Sequence, residues 1–159
     1  MADIVGDGFI RVYAVPSIAV LSAPTVAECN AGIKLQSLIT ADGLIGFKPD
    51  TADVDTSALD SVFNTALPGR ASFSGMMLRL KKQDGTDTVY NTLIKGYRFF
   101  TVIRRSVAEG TAWTIGDKVQ VHPSACGETA WVDPEPNVLE RYEVPIKPYL
   151  APNLRAVLA

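Results

Sequence analysis

The chain has few of the residues that carry chemistry in most enzymes. Its 159 residues include one histidine, His122, and two cysteines, Cys29 and Cys126. Neither cysteine has a second ligand at metal-binding spacing. Their separation allows a disulfide without implying one, and we expect two buried free thiols in a reducing compartment. The apolar stretch from Phe9 to Ala23 follows two aspartates and is interrupted by an arginine and a proline. We therefore expect neither a secretion signal nor a membrane span in this stretch.

Catalytic and ligand-binding motifs are also missing. The chain has no P-loop, dinucleotide fingerprint, nucleophile elbow or zinc motif. His122 falls on the polar side of a strand pattern with no nucleophile or acid in a recognisable relation to it, which favours a structural role. Asp50, Asp53 and Asp55 resemble a calcium loop superficially, but the required glycine and terminal glutamate are absent. We predict no catalytic residue, no metal site and no cofactor.

The charge balance argues against a protein that binds nucleic acid by neutralising phosphates. The formal net charge is −2, and only 20% of the residues are charged. The doublets Lys81-Lys82 and Arg104-Arg105 are too short to form a basic stripe. We expect these doublets to end strands in solvent or to form salt bridges between subunits.

What the chain does have is apolar surface. The mean hydropathy of +0.14 is high for a chain without a long apolar run. More apolar surface than one core can bury indicates a subunit that covers part of its outside in an assembly, although an apolar monomer is the alternative.

The stretch from Ala71 to Arg105 gives the clearest structural signal. Met76, Leu78 and Leu80 alternate with polar residues, which is the period of a strand with one buried face. The apolar parity changes at Gly75, where we predict a bend. A short helix is predicted over residues 87–95, and Tyr97 to Arg105 has apolar residues on both faces, as in a central strand.

Further strands and connections are predicted along the rest of the chain. A capping box, Thr25 with Glu28, starts a short connecting helix. Asp42-Gly43 predicts a hairpin turn between two strands, and Pro145 predicts a strand that lies at an edge or stops pairing there. Strands are predicted at residues 9–15, 33–39, 44–48, 118–122 and 139–147.

Two segments are predicted to make contacts outside the core. Residues 49–70 contain four aspartates and isolated apolar residues, which is typical of a long functional or contacting loop. The apolar C-terminal arm, residues 148–159, is expected to dock on its own domain or on a neighbour. If it is an assembly element, deletion of residues 150–159 should abolish polymerisation and leave the fold intact. The chain as a whole, residues 1–159, is predicted to form one mainly β domain.

Several segments resemble the major tail tube proteins of long-tailed, non-contractile bacteriophages, especially those of actinobacterial hosts. The resemblance is carried by LSAPTVAECNAG, TADVDTSALDSVFNTALPGR, LRLKKQDGTDTVYNTL and GDKVQVHPSACGE, and by the closing RYEVPIKPYLAPNLRAVLA. It covers nearly the whole chain, but its motifs contain no reactive groups. It therefore indicates a family without indicating a site.

The resemblance implies a structural virion protein and not an enzyme. The implied fold is a β-sandwich or barrel with one short flanking helix and a long inter-subunit loop. Subunits would close into hexameric rings, each contributing four strands to a barrel around a lumen, and the rings would stack head to tail into a tube. The implied partners are other copies, a tape-measure protein, a tail terminator and distal tail or baseplate proteins, with genomic double-stranded DNA passing through without specific binding. The implied location is the virion tail, and the host cytoplasm during assembly.

Two other classes of function remain open from the residues alone. A β-barrel module that binds carbohydrate or a small ligand would use Trp113, Trp131 and Tyr142 as its aromatic platform. A hydrolase would use acids in the loops, for which no motif is present.

Overall fold

The computed structural model describes every residue from 1 to 159, and the chain is mainly β. There are two short helices, α1 (Val26–Asn30) and α2 (Thr88–Thr92). The eleven strands are β1 (Ile10–Val15), β2 (Ile33–Lys34), β3 (Ile39–Ile45), β4 (Asp50–Asp55), β5 (Ala66–Ser72), β6 (Met77–Lys81), β7 (Arg98–Arg105), β8 (Lys118–Cys126), β9 (Ala130–Trp131), β10 (Arg141–Pro148) and β11 (Asn153–Val157).

Nine of the strands form one antiparallel sheet that curls into a half-barrel. Its order is β2-β1-β7-β8-β10-β6-β3, with β11 added to β8 and β9 added to β10. Strand β7 lies between β1 and β8, which confirms the prediction of a central strand from its two apolar faces. The remaining strands, β4 and β5, pair only with each other.

The sheet buries apolar residues on both sides, so the molecule has two cores. The larger core lies inside the curl and contains alternate residues of β6 and β10, including Leu78, Leu80 and Val144. The smaller core lies on the other face of β1, β7 and β8, where Val102 and Val121 pack with residues of α1 and the C-terminal strand. Two-sided burial explains why the sequence of β7 shows no simple alternation.

Strand β10 joins the two halves of the sheet, β2-β1-β7-β8 and β6-β3, and the change of partner occurs at Pro145. Arg141 to Pro145 pair with β6, and Ile146 to Pro148 pair with β8. Proline has no backbone N–H to give to a ladder, so a strand can change partners at this residue without losing a donor. The prediction that pairing ends at Pro145 is therefore confirmed for the ladder with β6.

Both predicted helix starts are confirmed, although the second helix is shorter than the predicted range 87–95. Thr25 and Glu28 form the capping box of α1, with Thr25 Oγ1 accepting from the Glu28 N–H and Glu28 Oε2 accepting from the Thr25 N–H. Asp87 caps α2 by accepting from the Tyr90 N–H at 3.0 Å. Helices this short are stabilised mainly by packing, and α2 buries Val89 against the larger core.

Several predicted connections differ in the structure. Asp42 and Gly43 lie inside β3 and make no hairpin turn, because β3 has a register shift between Ile39 and Leu44 that absorbs them. The predicted strand 33–39 is reduced to the two residues of β2, followed by a turn.

The C-terminal arm is part of the sheet, since β11 pairs with β8 and Leu158 is buried. Deletion of residues 150–159 would therefore damage the fold itself, which contradicts the expectation that it would stay intact.

One member of the basic doublets departs from the expectation that they end strands in solvent. Arg105 is exposed at the end of β7 and Lys81 ends β6, but Arg104 is inside. Arg104 is fully buried, and its guanidinium donates to Asp117 Oδ2 at 2.7 Å and to three carbonyls of the loop before β8, those of Ala108, Ala112 and Thr111. The group also lies over Trp113, 5.1 Å from the ring. Burial opposes ionisation of Asp117, but the hydrogen bonds from Thr114 and Arg104 outweigh it and lower the pKa of this carboxyl. Arg104 therefore holds the loop onto the smaller core.

Replacement of Arg104 with alanine should lower the free energy of unfolding by roughly 3–5 kcal/mol, because Asp117 and three carbonyls lose a buried partner. Arg105→Ala is the matched control, since the Arg105 side chain is exposed. Urea denaturation of both variants measures the difference. Equal stability of the two variants would show that the Arg104 network contributes little.

Candidate assembly interface

Strands β4 and β5 form a hairpin that extends from the body of the molecule. Residues 49–70 were predicted to be a loop, and the structure instead pairs Asp50 with Ser72 and Asp55 with Ala66 across most of this range. Every residue of β4 is exposed, and neither strand pairs with the main sheet. We call residues 50–72 the projecting hairpin.

The tip of the projecting hairpin is apolar and exposed. Leu59 and Val62 are as exposed as in an extended chain, at 107% and 104%, and Phe63 is 77% exposed. Val54 and Leu67, opposite each other on the two strands, are at least half exposed as well. Large side chains exposed in a cluster mark a contact surface more often than single exposed ones do.

Two glycines meet where the projecting hairpin joins the body. Gly46 and Gly75 both have positive φ, +76° and +66°. A Cβ on Gly46 would lie 2.6 Å from the Gly75 carbonyl oxygen, which no side chain tolerates, whereas a Cβ on Gly75 would meet open space. The bend predicted at Gly75 is confirmed. The requirement for Gly46 was not predicted, because nothing in the sequence shows which backbone it approaches.

Just beyond these glycines, two phenylalanines hold the base of the projecting hairpin on β8. Phe47 and Phe73 pack edge-on against the His122 ring, with centroid distances of 5.2 and 5.5 Å. His122 is 1% exposed, and neither ring nitrogen has a protein hydrogen-bond partner. Burial, and to a lesser degree Arg105, lowers the pKa of His122 to about 4. The sequence placed this residue on a polar face, which is wrong because the phenylalanines cover that face.

A cleft of about 410 Å³ opens between β1 and β3 and is lined by Ile10, Val12, Lys34, Gln36, Leu44 and Glu109 among others. No group of three His, Cys, Asp or Glu side chains is arranged to hold a metal ion. Neither helix has the length or apolar character needed to cross a bilayer.

Cys29 and Cys126 are buried free thiols, as predicted, and burial raises their pKa values to about 11 and about 12.

The comparison that decides the family is a match along the whole chain. A family model described as phage tail tube protein matches residues 1–159. The chain belongs to the phage tail tube protein family. Members of this family are structural proteins and not enzymes, and they are components of the virion tail. No curated protein sequence matches this chain.

A solved structure shows the same fold. It is described as the cryo-EM structure of the anti-feeding prophage (AFP) baseplate, 6-fold symmetrised. The TM-score is 0.59 at 10% identity, and the match covers 96% of this chain and 96% of that chain. The likeness at this identity shows a shared fold, which is the β-sandwich or barrel expected from the resemblance.

The aromatic platform of the carbohydrate-binding alternative does not form in this tail tube protein. Trp113 is 4% exposed and Tyr142 is 1% exposed, and they belong to different cores. Only Trp131 reaches the surface, and its ring lies 5.9 Å from that of Tyr142. Since a sugar-binding platform needs exposed ring faces, that interpretation of the three residues is wrong.

The two glycines at the base of the projecting hairpin provide a matched pair of variants. Gly75→Ala should cost about 1 kcal/mol for the positive φ alone, and Gly46→Ala should cost about 3 kcal/mol or more, since it adds a clash with backbone. Thermal and urea unfolding measure both. Similar losses for the two variants would show that the close approach at Gly46 relaxes easily.

His122 should make the stability of the protein depend on pH. The unfolded chain binds a proton near pH 6.5 and the folded chain only near pH 4, so stability falls as the pH drops through this window, by up to about 3 kcal/mol. His122→Phe should remove this part of the pH dependence. Urea denaturation at several pH values tests it, and parallel profiles for the two proteins would contradict it.

Proposed function

We propose that the chain forms hexameric rings that stack head to tail into the tail tube of a long-tailed, non-contractile phage. The lumen of this tube would conduct the genome during ejection. The observation that carries the proposal is the projecting hairpin with its exposed apolar tip, in a chain whose whole length matches the tail tube family. The 6-fold symmetry named for the structural relative supports six copies per ring. The chain is proposed to act as one domain, residues 1–159.

The free edges of the sheet support closure of a ring. The four strands β3, β6, β10 and β9 are neighbours in this order, and each is antiparallel to the next. Strand β3 has no partner on its outer side, and β9 has none beyond β10. Because the number of strands is even, β9 of one copy would meet β3 of the next copy antiparallel. Such pairing removes open edges that would otherwise aggregate.

The projecting hairpin is proposed to provide contacts between rings. Identical rings that stack head to tail use heterologous contacts, so each copy needs a protruding element and a receiving surface. A heterologous stack does not close on itself, and its length must be set by another protein. In the proposed assembly a tape-measure protein sets the length, and a tail terminator and distal tail or baseplate proteins bind the two ends. Assembly takes place in the host cytoplasm.

Electron microscopy of concentrated protein tests the proposal directly. Rings or tubes in negative stain support it. A monomer at every concentration, even when tail tip complex from the same phage is added as a template, would overturn it.

The apolar tip gives a sharper prediction. Replacing Leu59, Val62 and Phe63 with serine should stop tube formation, because these exposed side chains would lose the contacts that hold rings together. The fold should be unchanged, since none of the three is packed in either core. Ile115→Ser is a control at 78% exposure outside the projecting hairpin. Normal tubes from the triple serine variant would show that the tip makes no essential contact.

A further inference from the structure

One face of the sheet has no covering element, and we call it the open face. It is the outer side of β3, β6 and of β10 up to Pro145. In β6 and β10 the buried residues alternate with half-exposed ones, so that Met77, Arg79 and Glu143 point away from the larger core. On the opposite side of the curl, the outer face of β1, β7 and β8 is covered by the smaller core. The open face is therefore the sheet surface that this fold leaves without a covering layer.

An ion-paired arginine connects the three strands of the open face. Arg79 Nε and Nη2 donate to Glu143 Oε1 at 3.0 and 2.9 Å, and Nη1 donates to Asp42 Oδ2 at 2.9 Å. One carboxylate comes from each neighbouring strand, so the guanidinium of β6 is held from both sides. The hydrogen bond to Glu143 raises the pKa of Arg79, and a hydrogen bond from Thr40, aided by Arg79, lowers that of Asp42.

The backbone of β3 is adapted to this arrangement. Asp42 lies at the register shift of β3, and a Cβ on the next residue, Gly43, would lie 2.5 Å from the Arg79 carbonyl oxygen. The glycine therefore allows β3 to approach β6 closely where Asp42 reaches Arg79. The register shift of β3 and the lack of a side chain at Gly43 together place the Asp42 carboxylate beside Arg79.

The second arginine of the open face is ion-paired as well. Arg141, next to Lys81 across the ladder, pairs with Glu135 at 3.5 Å. The strands of the open face carry three cations, Arg79, Lys81 and Arg141, and two carboxylates, Asp42 and Glu143. Glu135 pairs with Arg141 from the loop after β9, so both arginines are ion-paired and Lys81 is not.

We propose that the open face is the wall of the bore, and that Asp42 and Glu143 prevent Arg79 from holding DNA phosphates. This inference rests on the proposed tube. A free arginine at each copy of the wall would add a favourable phosphate contact, and many such contacts along a tube would retard a duplex in transit. Arg79 still ties three strands together, while its two carboxylates take three of its five N–H donors and place two negative charges beside any phosphate that approaches it.

Removing the two carboxylates should make the bore bind DNA. Tubes are assembled in the presence of a short linear duplex, sedimented and assayed for DNA that stays with them. Asp42→Asn with Glu143→Gln should retain at least about tenfold more DNA than the unmodified tube at low salt, with the excess lost at high salt. Asp3→Asn with Asp7→Asn removes two charges from an exposed terminal segment and is the matched control. Equal retention by the two double variants would overturn the inference.

A third variant isolates Arg79. Adding Arg79→Gln to the Asp42→Asn, Glu143→Gln background should return DNA retention to that of the unmodified tube. Retention that stays high would show that another cation binds the DNA, and would overturn the role given to Arg79. Tube formation is checked by electron microscopy before the DNA assay. A variant or unmodified chain that forms no tubes therefore counts against the proposed function, and unchanged DNA retention by intact tubes counts against the role of Asp42 and Glu143.

The location of the open face is tested without changing the paired charges. Lys81→Cys introduces a thiol on this face, and the two native thiols are buried. In assembled tubes this thiol should react with a small maleimide and should be protected from a maleimide attached to a large protein. Rapid reaction with the large reagent along the tube would place the face outside and overturn the inference, whatever the charge variants do.

Discussion

Strand β10 holds the two halves of the sheet together, because it pairs with β6 up to Pro145 and with β8 from Ile146 onward. The curl of the sheet encloses the larger core, in which Tyr142, Val144 and Ile146 are fully buried. A strand that paired with β6 alone would leave two separate sheets. The transfer at Pro145 therefore fixes the shape on which the base of the projecting hairpin and the open face depend.

The base of the projecting hairpin is held by a close backbone contact and by an aromatic packing contact. Gly46 and Gly75 bring two backbones together, and Phe47 and Phe73 pack on the ring of His122. Beyond this base the hairpin has no partner strand in its own chain. The fold thus separates a packed body from an element whose apolar side chains have nothing to bury against within one copy. In a tail tube protein, this separation suits a subunit that completes its burial in the assembly.

Much of the body could be predicted from the sequence. Period-two alternation in β6, two apolar faces in β7 and the caps at Thr25 and Asp87 are local signals, and the structure confirms each of them. The errors share one physical cause, which is dependence on distant residues. Asp42-Gly43 has the composition of a turn but lies in a strand, because β6 provides a partner for both sides of the register shift. His122 and Arg104 look solvent-facing until Phe47, Phe73 and the loop before β8 are placed over them.

The sequence by itself determined the class of the fold, the main strands, the helix starts and the resemblance to a family. These depend on local periodicity, on capping residues and on sequence similarity. Tertiary structure alone decided that residues 50–72 project as a hairpin, that the C-terminal strand joins β8, and that Asp42 and Glu143 meet on Arg79. These arrangements join residues far apart in the chain. Their energies depend on which surfaces the curl of the sheet brings together. A local sequence pattern does not show which distant residues will come into contact.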